Sequence, residues 1–308
     1  MRAFIKRIIK ETIGLALISL HYLKGNRKDN ILSITLHNPS VQLMAKVVKW
    51  LRRRGYRIIS LAEFDALLQK GKTEERIALV TLDDGWKSNL DLLPLLEDEQ
   101  VPLAIFVPTE PVVSGNYWWE YAGRKGQEAI TGIEGVQAFK KIPNTIFKEK
   151  ISLLKQQYEL NRSCVDLQQL GMLARNKWIT IGSHTVNHPL LDQCIETEQE
   201  FELKESKRQL EEWLGRPVTY IAYPNGNLDN ATIKLAGQCG YRLGFTTYAG
   251  KVELDKVNRL LIPRYTLNEQ SGDMENLAKM LGLWQRYFKE KDQKIKVTDP
   301  RAQLNSFF

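Results

Sequence analysis

The sequence predicts an α/β protein, a distorted (β/α)7-type barrel of parallel strands with an insertion after the third or fourth strand. Three observations carry this. Short apolar runs alternate with amphipathic helical segments from Ile31 to about Thr266. The runs are apolar along their length, Ile77 to Leu82 most clearly, as strands buried on both faces are. Polar residues able to do chemistry fall just after those runs, where parallel α/β folds place their sites.

The elements follow in order. At the N-terminus Arg2, Lys6, Arg7 and Lys10 precede the apolar stretch Ile13 to Leu20, while Phe4, Ile5, Ile8, Ile9 and Ile13 recur at helical spacing opposite the cations. Basic-then-apolar is how an export signal begins, but His21-Tyr22-Leu23-Lys24 offers no small-residue cleavage site. The stretch is also far short of the roughly 20 residues that span a bilayer. Two readings carry equal weight: an amphipathic helix on a membrane surface through residues 1–24, and a helix packed on the domain. A cytoplasmic location, or a peripheral one at the inner face of a membrane, is expected over export.

Ile31 to Leu36 reads as a strand. Ser40 caps a helix with Val41, Met44, Val47, Val48 and Leu51 on its apolar side, closed by Gly55. Ile58-Ile59 is a short strand, and Ser60 opens a helix ending near Gly71. After Ile77 to Leu82 come a helix around Leu90 to Glu99 and a buried strand from Leu103 to Val107. The stretch from Glu110 to about Leu160 breaks the rhythm and carries Tyr117, Trp118 and Trp119. Strands resume at Trp178 to Ile181, Val218 to Ala222, Leu243 to Thr246 and Leu260 to Ile262, with a long helix from about Glu196 to Leu214. The expected organisation is a helix over 1–26, a barrel over 27–290 with its insertion at about 110–160, and a solvated tail over 291–308.

Composition excludes several function classes. With 44 Lys plus Arg against 36 Asp plus Glu the net charge is +8 over 308 residues, an ordinary basic surface, and no nucleic-acid partner is expected. Three cysteines, none in a C-x-x-C pair, make neither a disulfide framework nor a zinc knuckle. No G-x-G-x-x-G or Walker-type loop appears, so nucleotide binding has no support.

The strand ends are the informative part. Ile77 to Leu82 runs into Asp83-Asp84-Gly85-Trp86; the strand from Trp178 runs into Ser183-His184-Thr185-Val186-Asn187-His188-Pro189; the strand from Val218 runs into Tyr223-Pro224-Asn225-Gly226; and the first strand ends at His37. Asp-Asp-Gly alone is an ordinary turn, His-x-x-x-His arises on any solvated face, and His37 alone suits a core position. Together, with three of the chain's four histidines at strand ends, they describe a metal site. Two adjacent carboxylates closing a buried strand need a positive partner. One Asp with two His also leaves coordination positions open, as catalytic metal sites require.

These residues resemble the polysaccharide deacetylase family, carbohydrate esterase family 4. Its T-F-D-D-G motif has its counterpart in Thr81-Leu82-Asp83-Asp84-Gly85, and its H-[ST]-x-x-H-P motif in His184 to Pro189. The resemblance spans roughly Ile31 to Thr266. The usual R-x-P-[YF] motif is replaced by Ala222-Tyr223-Pro224-Asn225-Gly226, similar to the Y-P-x-G form of the circularly permuted exopolysaccharide de-N-acetylase subgroup. The family's late L-x-H is missing, because no histidine follows His188. In the permuted subgroup a first-strand histidine supplies the general acid, and Leu36-His37 matches that position.

The resemblance implies a metal-dependent deacetylase acting on an N-acetylated sugar in a polysaccharide or glycan precursor. Asp84, His184 and His188 would hold a divalent ion, Zn²⁺ first and Co²⁺ or Ni²⁺ as alternatives. Asp83 would be the general base and His37 the general acid. The Tyr223 backbone N–H would stabilise the oxyanion, and Arg264 would orient the base. Asp83 and Asp84 would take separate directions through strand alternation. Trp86, Trp118 and Trp119 are candidates for stacking a sugar ring, and Tyr117-Trp118-Trp119 reads equally well as the insertion's own core. A non-sugar amidohydrolase and a glycan-binding pseudoenzyme are the alternatives.

Overall fold

The computed structural model describes residues 2–23 and 30–288. The expected boundary near residue 26 and the tail over 291–308 lie outside the described residues.

Eight strands form one parallel sheet: β1 (Ile31–Leu36), β2 (Arg57–Ile58), β3 (Ile77–Leu82), β4 (Leu103–Val107), β5 (Ile179–Ser183), β6 (Tyr220–Ala222), β7 (Leu243–Phe245) and β8 (Tyr265–Thr266). Their order is β7-β6-β5-β4-β3-β1-β8, with β2 pairing β3 beside this path. The sheet curls into a barrel. β8 pairs β1 through Ile34–Tyr265 and Thr35–Thr266. On its other side the ring is completed by the bridge Phe245 to Ile262 and the backbone bonds around it, Ile262 N–H to Gly244 O and Thr246 N–H to Ile262 O among them. The last strand therefore differs from its expected place at Leu260 to Ile262. Asn258 turns the chain by accepting from Leu260 N–H, so Ile262 makes one bridge to β7 and ladder pairing with β1 begins only at Tyr265.

The local reasons for the elements are those the sequence carries. Every residue of β1, β3 and β4 is buried, as two-sided cover requires. Ser40 caps the helix Val41–Arg53 by accepting from Leu43 N–H, and Leu43, Met44, Val47, Val48 and Leu51 line its inner side. Ser60 and Glu63 form a capping box on the helix Leu61–Lys70, which Gly71 ends in the left-handed region. The helix expected around Leu90 to Glu99 is instead a 3₁₀ turn over Lys87–Leu92 followed by a short α-helix Leu93–Asp98, because Pro94 supplies no N–H to the first turn. Between β4 and β5, five helices fill the segment from Thr109 to Gln157. Trp118, Tyr121, Phe139, Phe147, Ile151 and Leu154 give that segment a core of its own.

The N-terminal helix Arg2–Leu23 lies against the helix Asp273–Met280. Gly14 sits so close that a Cβ there would meet the Met274 carbonyl at 2.6 Å, so no side chain fits. Glu11 accepts from the first exposed N–H groups of the neighbouring helix, Met274 and Glu275. Ile18 packs with Ala278, Leu281, Leu283 and Trp284.

Candidate metal centre and active site

β3 delivers two carboxylates to the C-terminal rim, and a left-handed turn rather than strand alternation separates them. Asp83 continues the strand: its N–H donates to Leu36 O. Asp84 takes φ +76°, which rotates its side chain away from its neighbour's, and Gly85 follows at φ +69°. A residue with a Cβ is strained there. Thr185 and His188 share that strain, at φ +67° and +54°.

Asp83 is 1% exposed and held by Arg264, whose Nη1 and Nη2 donate to the two carboxylate oxygens at 2.7 Å each. Arg264 is itself fully buried, donates Nε–H to Thr246 O at 2.9 Å and lies between the rings of Phe106 and Phe245. Its third anchor is Thr81 Oγ1 at 3.0 Å. Burial pushes the Asp83 pKa up, but Arg264 and then His184 outweigh it and hold the group below its usual range.

Asp84 faces the two histidines. His184 Nε2 and His188 Nε2 lie 3.5 and 3.4 Å from Asp84 Oδ1. All three residues are buried, and their ligand atoms lie within 4.8 Å of one another. His184 Nδ1 is 2.7 Å from Ala222 O, which only accepts, so Nδ1 carries the proton and Nε2 presents a lone pair. Trp86 Nε1–H donates to Asp84 Oδ2 at 3.1 Å. The other oxygen, Oδ1, is buried without a hydrogen bond. An orphaned anionic oxygen with two imidazole nitrogens converging on it is a donor set for a cation. The electrostatics agree. Burial raises the Asp84 pKa, yet the two histidines bring it well below its ordinary value. Burial lowers that of His184, yet Asp84 and Asp83 raise it on balance. Burial, with His184 beside it, lowers the pKa of His188 despite Asp84 and favours its neutral, lone-pair form, and a divalent metal ion fits the group.

Two supports of this site carry no signal in the sequence. Glu202, on the helix Glu196–Leu214, is fully buried and grips the turn between the histidines. It accepts from Val186 N–H at 2.9 Å, Asn187 N–H at 2.8 Å and Asn187 Nδ2 at 2.7 Å. Its pKa is raised, because burial outweighs the bonds it accepts. Tyr117 donates its hydroxyl to Asp84 O at 3.0 Å and fixes the strained turn from the insertion side.

His37 is exposed at the end of β1, close enough to contribute to lowering the pKa of both Asp83 and Asp84. Trp86 and Trp119 are half-buried beside the centre, and the Trp119 ring meets His188 edge-on at 4.7 Å. Two expectations are corrected. Tyr223 donates its N–H to Phe245 O at 2.9 Å in the β6–β7 pairing, and its ring is fully buried, so neither end reaches an oxyanion. Trp118 is 4% exposed and donates Nε1–H to His188 O at 3.0 Å. It braces a ligand loop from inside the insertion's core and has no face for a sugar.

A curled parallel barrel with a buried Asp-His-His group and an Arg-paired Asp at its C-terminal rim defines a class, the α/β barrels whose rim carries a group able to hold a metal. Comparison with known proteins narrows it. Residues 70–244 match the polysaccharide deacetylase family model. YxkH of Bacillus subtilis (strain 168), whose name places it in the same family, is 25% identical over 211 residues, 68% of this chain and 58% of that protein. Among solved structures, the Streptococcus pyogenes deacetylase PplD in complex with acetate aligns over 83% of this chain and 98% of its own at TM-score 0.57 and 20% identity. IcaB from Ammonifex degensii covers the same shares at TM-score 0.58 and 18% identity, showing the same fold. The chain belongs to the polysaccharide deacetylase family.

Proposed function

We propose that this chain is a metal-dependent hydrolase that removes N-acetyl groups from an N-acetylated sugar in a polysaccharide or glycan precursor. The observation that carries the reading is the division of labour between the adjacent carboxylates: Asp84 turned to His184 and His188, Asp83 turned to Arg264. Lewis acidity toward a carbonyl oxygen and toward water is the chemistry a metal held by Asp84, His184 and His188 supplies, and Zn²⁺ suits two imidazoles and one carboxylate.

The chain's own residues do the rest. Asp83 stays ionised beside Arg264, and one of its oxygens accepts a proton from attacking water. Arg264 fixes the direction of that oxygen and is a positioning residue. His37, on the first strand beside β8, protonates the departing amine, which leaves poorly as an anion. This placement supports the permuted arrangement in which the acid comes from β1. Trp86 and Trp119 offer half-buried aromatic surface for a sugar ring.

The test starts with the metal. Wild type reconstituted with Zn²⁺ should bind about one equivalent and release acetate from N-acetylglucosamine oligomers, and the His184→Ala, His188→Ala pair should lose both. A folded wild type that binds no divalent metal would overturn the reading. Bound metal with hydrolysis of non-sugar amides only would overturn the substrate class.

A further inference from the structure

The N-terminal helix has an apolar face that nothing among the described residues covers. Ile5, Ile8, Ile9, Leu15 and Leu20 are each 49% exposed or more, and Leu23 is 83% exposed. At 100° per residue these positions, with Thr12, Ala16 and Ser19 between them, occupy one side of the helix opposite the packed Gly14, Ile18 and His21. No charged residue interrupts that side over its roughly 27 Å. Scattered exposed leucines need no explanation, whereas a continuous stripe does.

The charges bordering the stripe say what covers it. Lys6 is exposed at its edge, Lys10 next along reaches Glu275 at 3.1 Å, and Arg7 is exposed on another side of the same turns. The helix has one acidic residue, Glu11, and it is turned inward to cap the neighbouring helix. What solvent meets near residues 5–10 is isoleucine and positive charge. A second copy packed stripe to stripe would offer these cations no acid, since the helix's one glutamate is turned inward, on a protein already at net charge +8. An anionic lipid surface takes both the apolar side chains and the cations.

Placement adds to this. Glu11 meets the start of the helix Asp273–Met280, which lies at the metal end of the barrel, since Glu269 just before it accepts from Ser40, the cap of the helix that leaves β1. Tyr22 meets Arg54 at the other end. The two helices run parallel, so residues 2–10 extend roughly 13 Å past that capped start.

We propose that the helix Arg2–Leu23 is an interfacial anchor that holds this protein to an anionic bilayer, lying in the surface without crossing it. None of the chain's described helices is long and apolar enough to cross a membrane. The proposal stands independently of the hydrolase reading.

The experiment is co-sedimentation of the full chain with vesicles of phosphatidylcholine alone and of phosphatidylcholine mixed with phosphatidylglycerol. Wild type should pellet with the mixed vesicles and at least about tenfold less with the neutral ones. Ile8→Asp with Ile9→Asp should abolish pelleting, and Lys6→Glu with Arg7→Glu should remove the preference for phosphatidylglycerol. All four are exposed, so circular dichroism and metal content should match wild type. Wild type staying in the supernatant, or pelleting equally with Ile8→Asp and Ile9→Asp, would overturn the proposal. So would a dimer by light scattering that the isoleucine variant dissolves, which would assign the stripe to a second copy.

Discussion

Glu202 touches no ligand atom directly, yet the position of both histidines depends on it. Removing it by Glu202→Ala leaves three donors without their acceptor. The Asn187 side chain is half-buried and can turn to water, whereas the Val186 and Asn187 N–H groups are held by the turn. Two unsatisfied backbone donors cost about 1–3 kcal/mol each, so about 4 kcal/mol is at stake. The turn relaxes to recover part of that, and relaxation moves His188 relative to His184. If half is taken by the site, metal affinity falls by roughly tenfold to a hundredfold, because each ~1.4 kcal/mol is a factor of ten. Glu202→Gln should behave differently. Its amide oxygen still accepts from both backbone groups, the Asn187 amide can flip to meet its NH₂, and the burial cost that raises the Glu202 pKa is relieved. Stability within about 1 kcal/mol of wild type is expected. The assay is a competitive Zn²⁺ titration paired with thermal melting of each metal-free variant. A Glu202→Ala protein that binds Zn²⁺ as tightly as wild type would refute the clamp, whatever its melting temperature.

Three further outcomes rest on the same geometry. Asp83→Asn should end turnover while retaining about one metal per chain, because Asp83 binds Arg264 rather than the histidines; joint loss of metal would mean the two carboxylates share one task. His37→Ala should slow hydrolysis of an N-acetyl sugar by roughly 10²–10⁴-fold but that of an aryl acetate, whose leaving group needs no proton, far less; equal losses would remove the general acid. Burial raises the Glu275 pKa, but Lys279 at 2.9 Å and Lys10 outweigh it and depress it. Its contribution is therefore complete at neutral pH and lost as pH falls through the depressed value, below about 4.5. Hydrogen exchange in residues 11–22 should rise over that acid range in wild type and change less in Glu275→Gln, and parallel profiles would show the pair does not hold the helix.

Parts of this molecule are legible in sequence because one physical rule dominates them. Ile77 to Leu82 can only be a strand covered on both sides, and the residues after its last apolar position must lie at the rim. Burial and parallel topology alone therefore place Asp83, Asp84, His184 and His188. Arg264 is legible only through resemblance, since an arginine after Pro263 reads equally well as a surface cation, and its full burial depends on Phe106 and Phe245 arriving from distant strands. Glu202 is hidden for the same reason. On a helix as charged as Glu196–Leu214 a glutamate looks solvated, and only the packing of that helix under the histidine turn turns it inward. Tyr223 and Trp118 mislead in the opposite direction: both sit beside chemistry in the chain, but one N–H is consumed by β7 and one indole by a carbonyl. The rotation at Asp84 is not fixed by a one-dimensional pattern either, because Asp-Gly marks several kinds of turn and only some need a positive φ at the aspartate.

The barrel's seam has a kinetic consequence. No ladder joins β7 to the segment that delivers Arg264; the bridge Phe245 to Ile262 and a few backbone bonds, such as Ile262 N–H to Gly244 O and Thr246 N–H to Ile262 O, hold it, while β1 and β3 are zipped along six residue pairs. Local opening favours sparsely paired backbone. A fluctuation that parts this seam withdraws the guanidinium from Asp83 and leaves the Asp84–histidine group untouched. On warming, Asp83 should then lose its arginine partner before the Asp84–histidine group comes apart, and inactivation should run ahead of unfolding. A thinly paired joint in the cylinder is also the one that positions Asp83, so stapling it should lengthen working life at high temperature.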